Sequence, residues 1–451
     1  MNQLPNRLRA EPVTQPSLTA HKAVRPLRIA VAGLGTVGGG VAKALAGRSK
    51  ELFARAGRPL ETVMITARDR TKDRGFDHSR IPWADDLQGL LDCDADVVVE
   101  LIGGESGPAL KLVEDALSRG KHVVTANKAL LAHHGARLAT LAESKGVALK
   151  FEAAAAGGIP IVKALRESLL AYGIDAVRGI LNGTCNYILT QMEATGAPFA
   201  DVLAEAQLLG YAEADPTLDI GGGDTAHKLA LLSALAFGVQ PDLGGITVEG
   251  IEAITPEDIG FAREFGYRIK LLGIARATPQ GLDRRVQPTM VKLGTPLADV
   301  EGPFNAVVAH AGEAGPFVFE GRGAGEAPTT SAVIADIVDI ARGSNGAVFG
   351  RAAGALAKPK RAPAEARVSP FYLRFHAKDE PGVLSEISGH LANAGVSIGS
   401  MIQRGRAPGG TVAIVMITHE CPEPSVQRAL KAIAASDKVR GASRMIPMEA
   451  G

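Results

Sequence analysis

The chain has 451 residues, 46% of them apolar, with 49 basic side chains against 48 acidic ones. That length allows two or three domains with real cores, and the near-zero net charge offers no global field for nucleic acid or an anionic membrane, leaving small-molecule chemistry as the default. Cys93, Cys185 and Cys421 lie far apart without a CxxC or histidine partner, which argues against a disulfide framework and structural zinc and fits a reducing cytoplasm.

Residues 1–26 carry Pro5, Pro12 and Pro16 among polar side chains and no apolar h-region, so they read as a disordered tail rather than a signal peptide or anchor. No later stretch approaches the roughly 20 continuous apolar residues of a spanning helix. The first structured segment, Leu27 to Val41, is an apolar strand running through Gly33, Gly35 and Gly38 into a helix. Such a GxGxxG turn gives Gly33 the tight bend, lets the backbone at Gly35 approach a pyrophosphate, and lets helix and strand pack closely at Gly38. Apolar runs at 62–66, 96–102, 122–125 and 147–151, with helical patterns at 108–119 and 130–144, complete a doubly wound parallel sheet over 27–151. Arg68, with Lys72 beyond it, follows the second strand, where arginine suits the 2′-phosphate of NADP and an acid the 2′-hydroxyl of NAD. Asp69 blurs that preference.

Beyond Glu152 the texture changes. Small residues at 153–158 precede a helix expected from 159 to 170, then a strand at 176–181 and helices at 187–194 and 199–209. Thr255-Pro256-Glu257-Asp258 is a helix start with proline at N1. Strand-like runs at 271–275, 286–291, 306–310 and 317–319 indicate an α+β domain over 152–327 with a mixed or antiparallel sheet. An apolar helix at 331–341 is expected to return to the first domain. Gly, Ala, Lys and Pro dominate 343–369, a linker to a final βαββαβ unit over 370–451, ferredoxin-like in order. Pro381-Gly382 opens its first helix, where backbone N–H groups could hold a carboxylate.

Residues 210–228 concentrate chemistry. Glu213, Asp215, Asp219 and Asp224 precede Lys228 in a turn-rich stretch that runs into an apolar helix, with Asp224 expected as its N-cap and Lys228 on the same face. A plain i,i+4 ion pair contributes only about 0.3–0.5 kcal/mol, and Asp215-Pro216 reads equally as a turn. So many acids suit a cationic amino group. Asn182 and Thr184 are either ligand contacts or a helix cap, with the cap favoured; His227 reads as a packing histidine.

Together the GxGxxG turn, Glu100-Leu101-Ile102-Gly103-Gly104, Val123-Val124-Thr125-Ala126-Asn127-Lys128, the stretch from Phe151 to Pro160, Leu181-Asn182-Gly183-Thr184-Cys185-Asn186-Tyr187, residues 210–228, and Gly323-Ala324-Gly325 with Pro328-Thr329 resemble homoserine dehydrogenases. Residues 379–393 resemble the ACT signature. The resemblance implies an α/β chain with a Rossmann-type NAD(P) domain closed by a return helix at 328–342, a substrate and dimerisation domain, and an ACT regulatory domain. It implies reversible NADP- or NAD-dependent reduction of L-aspartate 4-semialdehyde to L-homoserine in threonine, methionine and isoleucine biosynthesis, with L-threonine as feedback effector and a homodimer or tetramer. It assigns Lys228, oriented by Asp224, and Lys128 to the carbonyl end, and a lysine acting as a base near neutrality needs its pKa lowered from about 10.4 by burial or a neighbouring cation. A cation at a helix N-terminus is unfavourable to the dipole, so Lys128 hints at use. The resemblance further assigns Glu213, Asp219 and Lys128 to the substrate, Gly33, Gly35, Thr36, Val37, Gly38, Arg68, Lys128 and Gly325 to the cofactor, and the Glu152 carboxylate with the carbonyls of Ala155, Gly157 and Ile159 to a monovalent cation, sodium. The family often has valine where Ala155 stands. No aspartate-kinase region is expected before residue 27, and deletion beyond about residue 350 is expected to spare catalysis. The competing expectations are another semialdehyde oxidoreductase and a catalytically weak nucleotide- and amino-acid-binding sensor.

Overall fold

The computed structural model describes residues 24–405 and 410–449. The expected tail lies outside the described residues up to position 23; within its last residues Arg25 pairs with Asp96 at 3.1 Å. The first layer system runs β1 (Leu27–Ala32), α1 (Thr36–Gly47), β2 (Leu60–Thr66), β3 (Val97–Glu100), α2 (Pro108–Ser118), β4 (His122–Thr125), α3 (Lys128–Ser144) and β5 (Leu149–Lys150). The sheet is parallel in the order β2-β1-β3-β4-β5. Val97, Val98 and Val99 are fully buried, as a parallel strand covered by helices on both faces requires.

The second region contains β6 (Ala176–Ile180), α4 (Gly183–Thr195), α5 (Phe199–Leu208), α6 (Gly223–Phe237), α7 (Pro256–Glu264), the hairpin β7 (Tyr267–Thr278) and β8 (Gly281–Lys292), β9 (Phe304–His310) and β10 (Pro316–Arg322). Thr255 and Asp258 form a reciprocal capping box at the start of α7, behind Pro256. α8 (Glu326–Ala341) returns to pack on α1. The helix expected over 159–170 is shorter: one turn at Ile161–Lys163 widens into a π-helical turn, Ala164–Ser168. Leu170, its expected end, is exposed because no layer covers it.

The third unit runs β11 (Phe371–Lys378), α9 (Val383–Asn393), β12 (Ile398–Gln403), β13 (Thr411–Thr418), α10 (Glu423–Ile433) and β14 (Val439–Glu449), the βαββαβ order. It does not hang on a free linker. β14 runs parallel to β8, pairing Met448 with Met290 and Glu449 with Val291, so one mixed sheet of ten strands continues from β10 to β12. The 343–369 segment is anchored rather than loose: Phe349 is fully buried against Phe151, and Arg367 bonds Asp283 at 2.8 Å. Apolar side chains spaced through the Gly, Ala and Pro background explain the anchoring. At the seam, buried Asp258 of α7 receives Arg374 Nε at 2.7 Å and the Tyr372 hydroxyl at 3.1 Å, both from β11. No helix among the described residues is long and apolar enough to cross a membrane, and Cys93, Cys185 and Cys421 are free.

Candidate active site

Two clefts adjoin the glycine turn after β1. At this turn a Cβ on Gly38 would lie 1.8 Å from the carbonyl oxygen of Gly33, so the close approach of α1 to β1 depends on glycine. The first cleft, about 670 Å3, is lined by Gly33, Gly35, Thr66, Arg68, Lys72 and Arg74 among others. Arg68 and Lys72 are exposed to it. Asp69, which blurred the cofactor preference, is spent locally: its Oδ1 accepts the Thr71 amide at 2.8 Å and the Thr71 hydroxyl at 2.7 Å, which lowers its pKa. Arg68, Lys72 and Arg74 line this side of the cleft, with Asp85 and Asp86 also on its wall.

The second cleft, about 600 Å3, lies between the dinucleotide unit and the second region. Val37, Lys128, Gly157, Glu213, Asp219, Asp224, Lys228 and Gly325 all line it. It thus gathers residues nearly 300 positions apart along the chain, while Gly33, Gly35 and Arg68 line the first cleft instead. Thr36 and Gly38 sit in the first turn of α1, between the two.

Asp224 is not the N-cap of α6. Gly222 takes that place, with φ of 86°, and a Cβ there would press Val248 and Val286 at 3.0 Å; one helical turn, Thr217–Ile220, occupies the stretch before it. Displaced into the first turn, Asp224 points inward. Its Oδ2 accepts Lys228 Nζ at 2.8 Å and Asn182 Nδ2 at 2.9 Å, while its Oδ1 lies 3.1 Å from Lys128 Nζ. Burial acts to raise the Asp224 pKa, but Lys228 and Lys128 together hold it well below the ordinary carboxylate range. Lys228 also donates to the Leu181 carbonyl at 2.6 Å. An ammonium has three N–H donors, so one remains for the cavity. Lys128 begins α3, whose N-cap Asn127 accepts the Leu130 amide at 3.1 Å.

Asp219 is half-buried, and burial with the neighbouring Asp224 raises its pKa. Glu213 is exposed at the cavity rim; Thr184 holds its loop by donating to the Tyr211 carbonyl at 2.7 Å. Asp215 forms the turn read as its alternative, accepting the Thr217 amide at 3.1 Å. His227 is half-buried with its ring 5.8 Å from that of His133, a packing role.

Glu152 is engaged by backbone amides: its Oε1 accepts the Val162 amide at 2.9 Å and its Oε2 the Lys163 amide at 2.8 Å, capping the short helix. The sequence put an acid ten residues ahead of that helix, with no visible reason to fold back on it. Burial and the nearby Asp336 push Glu152 up to about 7, against the pull of those amides. The loop carbonyls fare better as candidate ligands. Ala156 and Gly157 are left-handed, φ 58° and 56°, and among the described residues no backbone amide donates to the carbonyls of Ala155 or Gly157.

Asn305, on β9, was missed. It is 1% exposed, donates to the Leu181 carbonyl at 3.0 Å beside Lys228, and leaves Oδ1 without a partner at the cavity wall. The signal was available: it is the one amide in the apolar run of Phe304–His310.

Comparisons with known proteins match this arrangement. The family model for homoserine dehydrogenase matches residues 160–338, that for the homoserine dehydrogenase NAD binding domain matches 33–152, and an ACT domain model matches 371–437. A homoserine dehydrogenase of Neisseria gonorrhoeae is 44% identical over 94% of this chain and 99% of its own length. One from Pseudomonas aeruginosa is 42% identical, covering 93% and 98%. The crystal structure of a homoserine dehydrogenase from Thiobacillus denitrificans superposes with TM-score 0.89 at 43% identity, covering 94% of this chain and 99% of that one. A hyperthermophilic archaeal homoserine dehydrogenase mutant in complex with NADPH covers 70% of this chain and 97% of its own, with TM-score 0.61 and 26% identity.

Proposed function

The chain belongs to the homoserine dehydrogenase family, NAD(P)-dependent enzymes that interconvert L-aspartate 4-semialdehyde and L-homoserine, and from that premise we propose how its own residues carry the reaction. The observation that bears most weight is Asp224 held between Lys228 and Lys128 on the wall of a cavity shared with the dinucleotide unit. Lys228 gives its free N–H proton to the carbonyl oxygen during reduction and takes the hydroxyl proton back during oxidation, a positioned proton transfer contributing about 10²–10⁴-fold. Asp224 fixes Lys228 with two neighbours already satisfied, so the ammonium cannot swing away. Glu213 and Asp219 hold the substrate ammonium, and Lys128 adds a second cation to the same pocket. The bound nicotinamide cofactor supplies or accepts the hydride.

NADP is the preferred cofactor, supported by the cationic rim of Arg68 and Lys72, by the engagement of Asp69 with Thr71, and by the NADPH complex of the archaeal relative. Gly33, Gly35, Thr36, Val37, Gly38 and Gly325 would hold it. The carbonyls of Ala155, Gly157 and Ile159 would take sodium, with the Glu152 side chain acting through the helix it caps. L-threonine is the proposed effector of the ACT unit. β10 and β12, the two ends of the ten-stranded sheet among the described residues, support a homodimer or tetramer. The test is L-homoserine oxidation followed with NADP and NAD in parallel, with and without L-threonine. A lower KM for NAD than for NADP would reverse the cofactor preference, and full activity at saturating L-threonine would remove that effector. The assay uses the full chain, because β14 pairs with β8 and Arg374 bonds Asp258 of the second region.

A further inference from the structure

We infer that Asn182 is a positioning residue that clamps the Asp219 and Asp224 carboxylates side by side, as a pair of anions facing Lys128 and Lys228. This rests on the assignment of Asp219 to the substrate. Asn182 immediately precedes α4 and is 5% exposed. Its Oδ1 accepts the Cys185 amide at 2.8 Å, which fixes the orientation of the carboxamide because only an oxygen can accept there. The nitrogen must then face the acids, and it does so twice: Nδ2 donates to Asp219 Oδ1 at 2.8 Å and to Asp224 Oδ2 at 2.9 Å. A primary amide has two N–H donors. Both are spent on two carboxylates that would otherwise repel each other, and no other described side chain bonds both.

The same helix turn holds Asp219 a second way, since the Cys185 thiol donates to its backbone carbonyl at 3.2 Å. Around this pair stand Lys228 from α6, Lys128 from α3, Glu213 from the rim and His227 beside Lys228, besides the neutral thiol of Cys185 from α4. The lysines already compensate Asp224; Asp219 depends more heavily on the amide, which opposes the effects of burial and of Asp224. Without the clamp, Asp219 takes up a proton at higher pH and its grip on the substrate ammonium is lost there.

Asn182 also caps α4, so the test separates clamp from cap. Asn182→Ser and Asn182→Asp both keep a good N-cap acceptor, and both lose the amide donors; melting curves check that they fold. With Asn182→Ser the KM for L-homoserine should rise roughly tenfold, as one lost charge-assisted hydrogen bond implies, while the KM for NADP holds. The acidic limbs of kcat and of kcat/KM should both move to higher pH. Asn182→Asp, which adds a third carboxylate, should be worse in both respects. Wild-type KM and pH profiles in both variants would overturn the clamp and leave only the cap. Asp219→Asn is run alongside: an unchanged KM there would sink the substrate assignment of Asp219, and kcat in Asn182→Ser, which loses the hydrogen bond from Asn182 to Asp224, would still decide the clamp by falling or by staying at the wild-type value.

Discussion

Two buried acids, Asp224 and Asp258, each lie near the start of a helix and each receive a cation from a distant segment, yet one borders a cavity and the other is sealed. Asp224 shares Lys228 and Lys128 with the cleft, and Lys228 keeps a donor free. Asp258 is fully buried, and Arg374 and Tyr372 occupy its remaining lone pairs. A buried pair by itself is weak evidence for either function or stability. The difference in access separates a group that can exchange a proton from one that holds two units in register.

That contrast breaks most visibly at Lys228. Lys228→Met is expected to lower kcat at least 10²-fold, the range of a positioned proton transfer, with NADP affinity retained in a fluorescence titration; a kcat within a few-fold of wild type would move Lys228 to the structural side. Arg374→Met should do the reverse, costing about 3–5 kcal/mol in urea unfolding by leaving Asp258 uncompensated, while kcat at 25 °C stays near normal. If kcat fell in step with stability, the sealed pair would belong to the catalytic machinery. A third charge set sharpens the picture. Arg68→Ala should raise the KM for NADP roughly tenfold through loss of a charge-assisted contact and leave that for NAD unmoved.

The smallest effect concerns Glu152, raised to about 7 by burial and Asp336, and Asp336, raised to about 6 by burial. Both bind protons more tightly folded than unfolded, so each contributes stability below its ordinary carboxylate range that is lost as pH rises through 6 to 7. Glu152→Gln should flatten the fall in thermal stability over that window. A slope equal to wild type would show that Asp336 carries it alone.

The parallel sheet was legible because GxGxxG and runs such as Val97–Val99 bear local signals that tertiary contacts only confirm. The carboxylates of the pocket were legible as a cluster within 210–228, but not their roles. Whether Asp224 caps a helix or faces a cavity turns on Gly222 adopting a left-handed conformation two residues earlier, and three adjacent glycines do not say which will. Asn305 and the folding back of Glu152 depend on strands and helices far off in sequence. The anchoring of residues 343–369 escaped notice because composition weighs all residues alike, while Phe349 alone fills a slot beside Phe151.

The joining of β14 to β8 has a consequence for synthesis. Arg285 lies in the core and bonds Glu449, 164 positions further along the chain. At about 5–20 residues per second, roughly 10–30 s of translation separate the two. Through that interval the nascent central sheet carries Arg285, and Arg276 and Arg178 beside it, without the carboxylate that balances them in the finished protein. The central sheet thus reaches its full charge balance only once β14 has been made, which makes a stop codon before Glu449 more damaging than the loss of one edge strand would suggest.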